Sequence, residues 1–311
     1  MFDKLFKRSS KILGISAHAD GIALAVVEAG NGCAVHVHRT LWVSRQPETG
    51  LDKRLADAVK SLKAKRIPAV LALEPSLYHL LQIEAPDIEE SEMAEAARWR
   101  IKDMVDFSID QAAVDVFDLP LSQRPGAPHL MYAVAADNTV IQPLIEQLLK
   151  AKVDLQAVDI AEMALRNLVN RSDSETRPRA FMHLSPSVGI IEINHQSEIH
   201  LLRNMTVGAE SVLDNHSELI NISEGLALEV QRSLDYFESQ YGLGQVDALQ
   251  LIAPDASLAE AFKQAATAFL TVPVIVDELK YLQGIDLSSE ENVAQKLMAV
   301  GAGSRDIPWV A

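Results

Sequence analysis

The chain has a single cysteine, Cys33, in 311 residues. That excludes an internal disulfide and any cysteine-based metal site, and a reducing cytoplasm is the compartment that fits. No window approaches the roughly 18–20 uninterrupted apolar residues that a membrane-spanning helix needs. The basic start, with Lys4, Lys7, Arg8 and Lys11 against Asp3, has no apolar stretch of signal-peptide length. There is no GxxxxGK[ST] phosphate loop, and no order of Ser, His and Asp, or of Cys and His, that a hydrolase would use. Positive charge is in deficit: 28 Lys and Arg against 43 Asp and Glu leave a net charge of −15. Such a balance argues against a nucleic-acid partner, which wants a basic face. Hydrophobic residues make up 48% of the chain, ample for a packed core, and the length suits one large or two medium domains.

Apolar spacing switches between the strand and helix periods along the chain, so the class is α/β. Gly30-Asn31-Gly32 reads as a turn. Beyond it, Cys33, Val35, Val37 and Leu41 share one face of a strand, with His36, His38 and Thr40 on the other. Leu51, Leu55, Ala58, Val59 and Leu62 follow at helical spacing, Pro68 stops that helix, and Ala69–Leu73 reads as a buried strand. Tyr78–Ile83, Val114–Leu119 and Leu130–Ala135 read as further strands. Asp87 with Glu90 three residues on signals a helix start, continued by Met93, Ala96, Ala97, Arg100, Ile101 and Met104. Helices are expected over Asn138–Lys150 and Asp159–Val169. The polar, proline-bearing run Arg171–Arg179 is the best boundary. Past it the spacing predicts strands at Glu198–Arg203, Ala248–Ala253 and Val274–Val276. It also predicts a long helix through Leu226, Val230, Leu234 and Phe237, and helices at Ala259–Phe269 and Glu291–Val300, the last stopped by Gly301-Ala302-Gly303. The expected organisation is a basic tail over 1–11, a first lobe over 12–170 with a small α+β insertion at about 84–136, and a second lobe over 180–311.

Two distant stretches repeat one device. Ile12–Glu28 and Ala180–Ile193 each read as an apolar strand, a short turn of small residues and a second apolar strand. This pairing resembles the actin-like ATPases, a two-lobed ribonuclease H-like fold. There the paired turns cradle the phosphates of ATP, and an aspartate ending each first strand holds hydrated Mg²⁺. Ser16 and His183 stand at those two places. The resemblance maps nucleotide contacts onto Ser16, Ala17 and His18 in the first turn, onto His183 and Ser185 in the second, and onto Gly301, Ala302 and Gly303 near the adenosine segment.

A more specific likeness runs through Glu84-Ala85-Pro86, the acidic helix Glu92–Asp103 with its central Trp99, the turn Val105-Asp106-Phe107, and Val114–Pro120. It recurs at Val158–Leu165 and at Glu229–Phe237, a Glu-x-x-Arg-Ser-x-x-Tyr-Phe pattern. In this order and spacing the residues resemble the pilus-assembly proteins of the PilM family, and within it the members that serve MSHA-type pili. The resemblance implies a cytoplasmic actin-like protein, peripheral at the inner membrane. Such a protein grips the cytoplasmic tail of a PilN-like inner-membrane partner and works with other components of the pilus machine, including its cytoplasmic motor. Membrane contact would come mainly through that partner, with the basic tail assisting.

The departures from the actin-like pattern fall on the nucleotide site. Mg²⁺ prefers oxygen ligands with at least one carboxylate. Ser16 offers a neutral hydroxyl, and His183 a nitrogen. Asp20 places negative charge in the first turn, Pro186 removes an N–H donor from the second, and Pro254-Asp255 stands where a double glycine is expected. Only Gly301-Ala302-Gly303 keeps the family's character. The expectation is therefore a non-catalytic scaffold with a degenerate nucleotide site and no cofactor. The alternative is an ATP-binding switch or weak ATPase of the same machine. A sugar kinase fares worst, since no carboxylate base stands beside a phosphate turn.

With the phosphate machinery decayed, the insertion needs another reason to persist, and a face carrying Trp99, Arg100, Asp103 and Phe107 is the expected partner site. Bland readings stand beside these. Ser16 and Asp20 also read as plain turn residues, His183 as a core histidine, Trp99 as packing beneath its helix, and Glu89, Glu90, Glu92 and Glu95 as a solvated helix start. His36 and His38 lie two apart on one strand face, but no Cys, Asp or Glu nearby completes a metal set.

Overall fold

In the computed structural model, residues 11–29, 34–45, 50–169, 177–196, 198–209, 215–285 and 291–305 are described. The basic tail over 1–10, the Gly30-Asn31-Gly32 turn, Cys33 and the 171–176 part of the linker lie outside them.

Unbroken apolar runs set the centre of each sheet. Strands β1 (Lys11–Ala17), β2 (Gly21–Ala29) and β4 (Pro68–Leu73) are buried almost throughout. A strand covered on both faces loses the polar alternation of a half-exposed one. With β3 (Val35–Ser44), β8 (Asp154–Ile160) and β14 (Leu282–Gln283) they form a six-stranded sheet in the order β14-β3-β2-β1-β4-β8. The β1–β2 and β2–β3 pairs are antiparallel, whereas β4 runs parallel to both β1 and β8.

The same plan recurs downstream. Strands β9 (Arg179–Leu184), β10 (Val188–His195), β11 (Glu198–Thr206), β12 (Leu249–Ile252) and β13 (Val274–Val276) form a sheet in the order β11-β10-β9-β12-β13. Here too two antiparallel pairs are followed by two parallel ones. Helices α5 (His216–Tyr241) and α6 (Ala256–Phe269) bury Leu226, Val230, Phe237 and Phe262 against this sheet's core. The Pro254-Asp255 pair serves the fold: the Asp255 side chain caps α6 by accepting from Leu258 N at 2.8 Å.

Two compact units result. The first comprises Met1–Glu74, Val140–Ser172 and Leu279–Ala311, and the second Pro75–Thr139 and Asp173–Glu278. This division differs from the contiguous lobes read from the sequence in two ways. The terminal helix α7 (Val293–Gly303) belongs with the first unit, because it packs on β1, β2 and α4 (Ala161–Val169). The insertion leaves the first unit after β4 and packs with the second. It is a three-stranded sheet, β5 (His79–Glu84), β7 (Leu130–Asp137) and β6 (Ala112–Asp118), backed by α2 (Glu90–Ile101). Two anchors hold it there. Tyr132 Oη donates to Leu202 O at 2.8 Å and accepts from Leu202 N at 3.0 Å on edge strand β11. Ser122 Oγ donates to Gln240 O at 2.8 Å near the end of α5.

Smaller expectations also shift. The α2 N-cap is Glu89, not Asp87, and the helix ends at Ile101, so Met104 lies beyond it, half exposed. Strand β8 was not expected, and α4 starts two residues after Asp159. Helix α3 (Asn138–Lys150) and α1 (Leu51–Ser61) fall where helical spacing puts them.

Candidate functional site

The first turn, at the C-terminal end of β1, is closed by its own side chains. His18 N donates to Gly21 O at 2.9 Å, and Arg45 N to Asp20 O at 2.6 Å. The His18 imidazole folds back between two partners: Nε2 lies 2.8 Å from Ser16 Oγ and Nδ1 lies 3.1 Å from Glu74 Oε2. With its proton on Nδ1 the ring donates to Glu74 and accepts from the Ser16 hydroxyl. Glu74 follows β4, whose Leu73 pairs with Ala17, so two adjacent parallel strands deliver all three groups to one place. This Ser–His–Glu contact is not visible as an order along the chain. The acid comes from a strand that neighbours β1 in space but is distant in sequence. Ser16 is only 2% exposed and Ala17 is buried, so neither presents a free surface.

The second turn, in the second unit, is likewise internally satisfied. Ser185 Oγ donates to Val188 O at 3.0 Å and accepts from Val188 N at 3.2 Å, while Ala209 N donates to Pro186 O at 2.9 Å. His183, at the end of β9, is 2% exposed, the core histidine of the bland reading. Ser16 and His183 fall in different units.

Gly301, Ala302 and Gly303 lie inside α7, all buried, so they continue the helix rather than stop it at Val300. A Cβ on Gly301 would stand 2.2 Å from Ala164 O, and one on Gly303 would stand 2.8 Å from Val27 Cγ2. Gly14 on β1 meets the same helix, with a hypothetical Cβ only 1.8 Å from Ala299 O. These glycines let α7 approach β1, β2 and α4 closely. In this structure all three serve close packing.

The insertion presents a different surface. Trp99 is 58% exposed, which corrects its reading as core, and Lys102 Nζ sits 6.0 Å from its ring centroid. Only Ala97 and Ile101 of α2 are buried, so Trp99 and Arg100 fall on the outer side of the helix. Asp103 and Met104 are exposed just beyond. Phe107 departs from this group: it is half-buried against the insertion's core, its ring 5.5 Å from His79. The 2.8 Å hydrogen bond from His79 lowers the Asp106 pKa beside it. Residues 84–118 carry eleven Asp and Glu against three Lys and Arg, so the apolar patch sits in a strongly anionic surround. Glu28 was missed as a neighbour of the histidine pair: its carboxylate accepts from His38 Nε2 at 2.8 Å. Among the described residues no group of three His, Cys, Asp or Glu is placed to hold a metal ion.

No family model and no curated protein matches the chain. Solved structures do match. A PilM–PilN type IV pilus biogenesis complex is 18% identical, covering 96% of this chain and 98% of the other at a TM-score of 0.70. The cytoplasmic domain of EpsL, an inner-membrane component of the type II secretion system of Vibrio cholerae, is 12% identical over 96% and 97%, TM-score 0.53. A Bacteroides thetaiotaomicron protein of unknown function with an actin-like ATPase fold is 12% identical over 96% and 98%, TM-score 0.54. The chain therefore has the actin-like ATPase fold. No described helix is long and apolar enough to cross a membrane.

Proposed function

We propose that this protein is a non-catalytic scaffold of type IV pilus assembly, of the PilM kind and serving an MSHA-type pilus. In this reading it holds the cytoplasmic tail of a PilN-like inner-membrane protein and is cytoplasmic, peripheral at that membrane. The observation that carries the reading is the match in fold, end to end in both chains, to the PilM–PilN complex. The site geometry supports the non-catalytic part. Phosphoryl transfer depends on metal and positioned donors that offset developing charge. The residues present do not fit that task. Ser16 is committed to His18, the second turn is bonded to itself, and the glycines are filled by packing.

The partner face is assigned to Trp99, Arg100 and Asp103, joined by Met104, with Phe107 as its half-buried support. Exposed tryptophan in a polar rim is the composition of an interface hot spot. The test is pull-down of the PilN-like partner by the folded Trp99→Ala variant and by an Arg100→Glu/Asp103→Lys variant. Capture should fall at least tenfold in each; undiminished capture removes this face from the site. Mg²⁺-ATP separates the alternative, an ATP-binding switch. A ligand at 100 times its Kd adds about 2.7 kcal/mol of stability, so an unchanged melting temperature is expected and a clear rise favours the switch.

A further inference from the structure

The first unit carries a groove that the reading above does not use. It runs along edge strand β3 and has a volume of about 370 Å³. Its walls are Val37–Leu41 of β3, Ser61 and Leu62 at the end of α1, and Gly284 and Ile285 after β14. Strand β14 pairs only with Val35 and His36, then turns away at Gly284, whose φ of +84° takes the chain off the sheet. Beyond His36 no described strand flanks β3 on that side. A sheet edge of this kind is a template for an added strand.

The charge around the groove opposes that of the whole molecule. Residues 34–66 hold eight Lys and Arg against three Asp and Glu, in a chain of net charge −15. Lys60, Lys63, Lys65 and Arg66 are all exposed beside the groove's Ser61 and Leu62, and Arg39 Nη1 donates to Ser61 O at 3.3 Å. Lys63 and Arg66 adopt left-handed φ values of 56° and 66°. Glycine or asparagine holds that conformation at less cost. Lys63 holds it in the turn that closes α1, where Ala64 N donates to Val59 O at 2.9 Å, as Lys152 does after α3, where Val153 N donates to Leu148 O at 3.1 Å.

We propose that the β3 edge binds an extended acidic segment of another polypeptide. The segment adds as a strand beyond β14, its carboxylates against Arg39 and the Lys60–Arg66 run. A lipid surface is the poorer occupant, because no large exposed hydrophobic residue lies within 34–66 and the site is a groove. The site lies in the first unit and the Trp99 face in the second, so the two readings fail separately.

The probe is a fluorescein-labelled (Glu-Val)₅ peptide, followed by anisotropy at low and high salt, with (Lys-Val)₅, phosphatidylglycerol vesicles and a single-stranded oligonucleotide as alternatives. Amide exchange over residues 37–44 is measured in parallel. The acidic peptide should bind, weaken with salt and slow exchange along β3. The Lys63→Gly/Arg66→Gly variant relieves the strain while removing two charges, so it should fold at least as well and bind at least tenfold more weakly. The proposal is overturned if the wild type ignores the acidic peptide, if the glycine variant binds it equally, if binding leaves the β3 amides unprotected, or if vesicles or the oligonucleotide are preferred.

Discussion

Gly301→Ala separates a packing glycine from a ligand-binding one. The added methyl would lie 2.2 Å from Ala164 O, 2.8 Å from its carbonyl carbon and 3.2 Å from its Cα. All three atoms are α4 backbone, so relief requires α7 and α4 to separate by about 1 Å in a region packed to crystal density. An alanine in a helix gains about 1 kcal/mol over glycine. Against this stand about 1–3 kcal/mol for overpacking and about 1 kcal/mol for disturbing the hydrogen bond that Asn167 Nδ2 donates to Gly301 O at 3.2 Å. The net expectation is a loss of about 1–3 kcal/mol. Gly225 is the control: it is exposed, inside α5, and a Cβ there meets nothing within 4 Å. Gly225→Ala should stabilise by about 0.5–1 kcal/mol. Two units need not unfold together, so the assay is native-state amide exchange read element by element. Protection in α4 and α7 should fall roughly tenfold per 1.4 kcal/mol lost, with or without Mg²⁺-ATP, while α5 in Gly225→Ala slows. Unchanged or slower exchange in Gly301→Ala would refute the close approach of α7.

Two further predictions concern protons. His200 is buried against Tyr241 and Phe237, with ring centroids at 4.8 and 5.9 Å, and its pKa is lowered chiefly by burial, a neighbouring His195 adding to the effect. The unfolded chain then binds a proton that the folded one refuses, so stability should fall as pH drops below about 6.5. His200→Leu should flatten that slope between pH 7.5 and 5.5 in urea titrations; parallel curves would sink the assignment. Asp159 has the opposite sign: burial raises its pKa, with Arg305 at 2.9 Å opposing. Arg305→Met should cost about 2 kcal/mol where the carboxylate is ionised, fade as pH falls through the folded pKa, and be recovered by Asp159→Asn; a pH-independent loss would contradict it.

Much of the architecture is written in the apolar spacing. The strand runs at Ala69–Leu73 and Leu130–Ala135 and the α5 stripe through Leu226, Val230, Leu234 and Phe237 lie where period alone puts them. Strand β8 escaped because Asp154–Ile160 alternates beside a helical continuation, and short alternating runs next to helices are ambiguous. Trp99 was misplaced for a related reason. Helix α2 buries only Ala97 and Ile101, too narrow a stripe for the spacing to tell its inner from its outer side. The His18–Glu74 contact depends on β1 and β4 being neighbours. One signal for it was available: Glu74 closes a fully buried strand at its C-terminal end, where α/β sheets collect polar groups.

The glycines show the limit of reading a motif by composition. A turn that admits phosphate and a helix that lies against a sheet make the same demand, that no Cβ intervene. Gly301-Ala302-Gly303 therefore looks alike in sequence under either use. What separates the two is the identity of the approaching atoms, and here they are Ala164 backbone and the Val27 side chain. The other members of the expected nucleotide set are held by different chemistry. The Ser16 hydroxyl is held by an imidazole, that imidazole by a carboxylate, and the Ser185 hydroxyl by the backbone of its own hairpin. Each of these side chains has a partner within the protein. The exposed Trp99 and the cationic edge of β3 are the informative surfaces, since both leave apolar or charged groups in water that local packing does not require there.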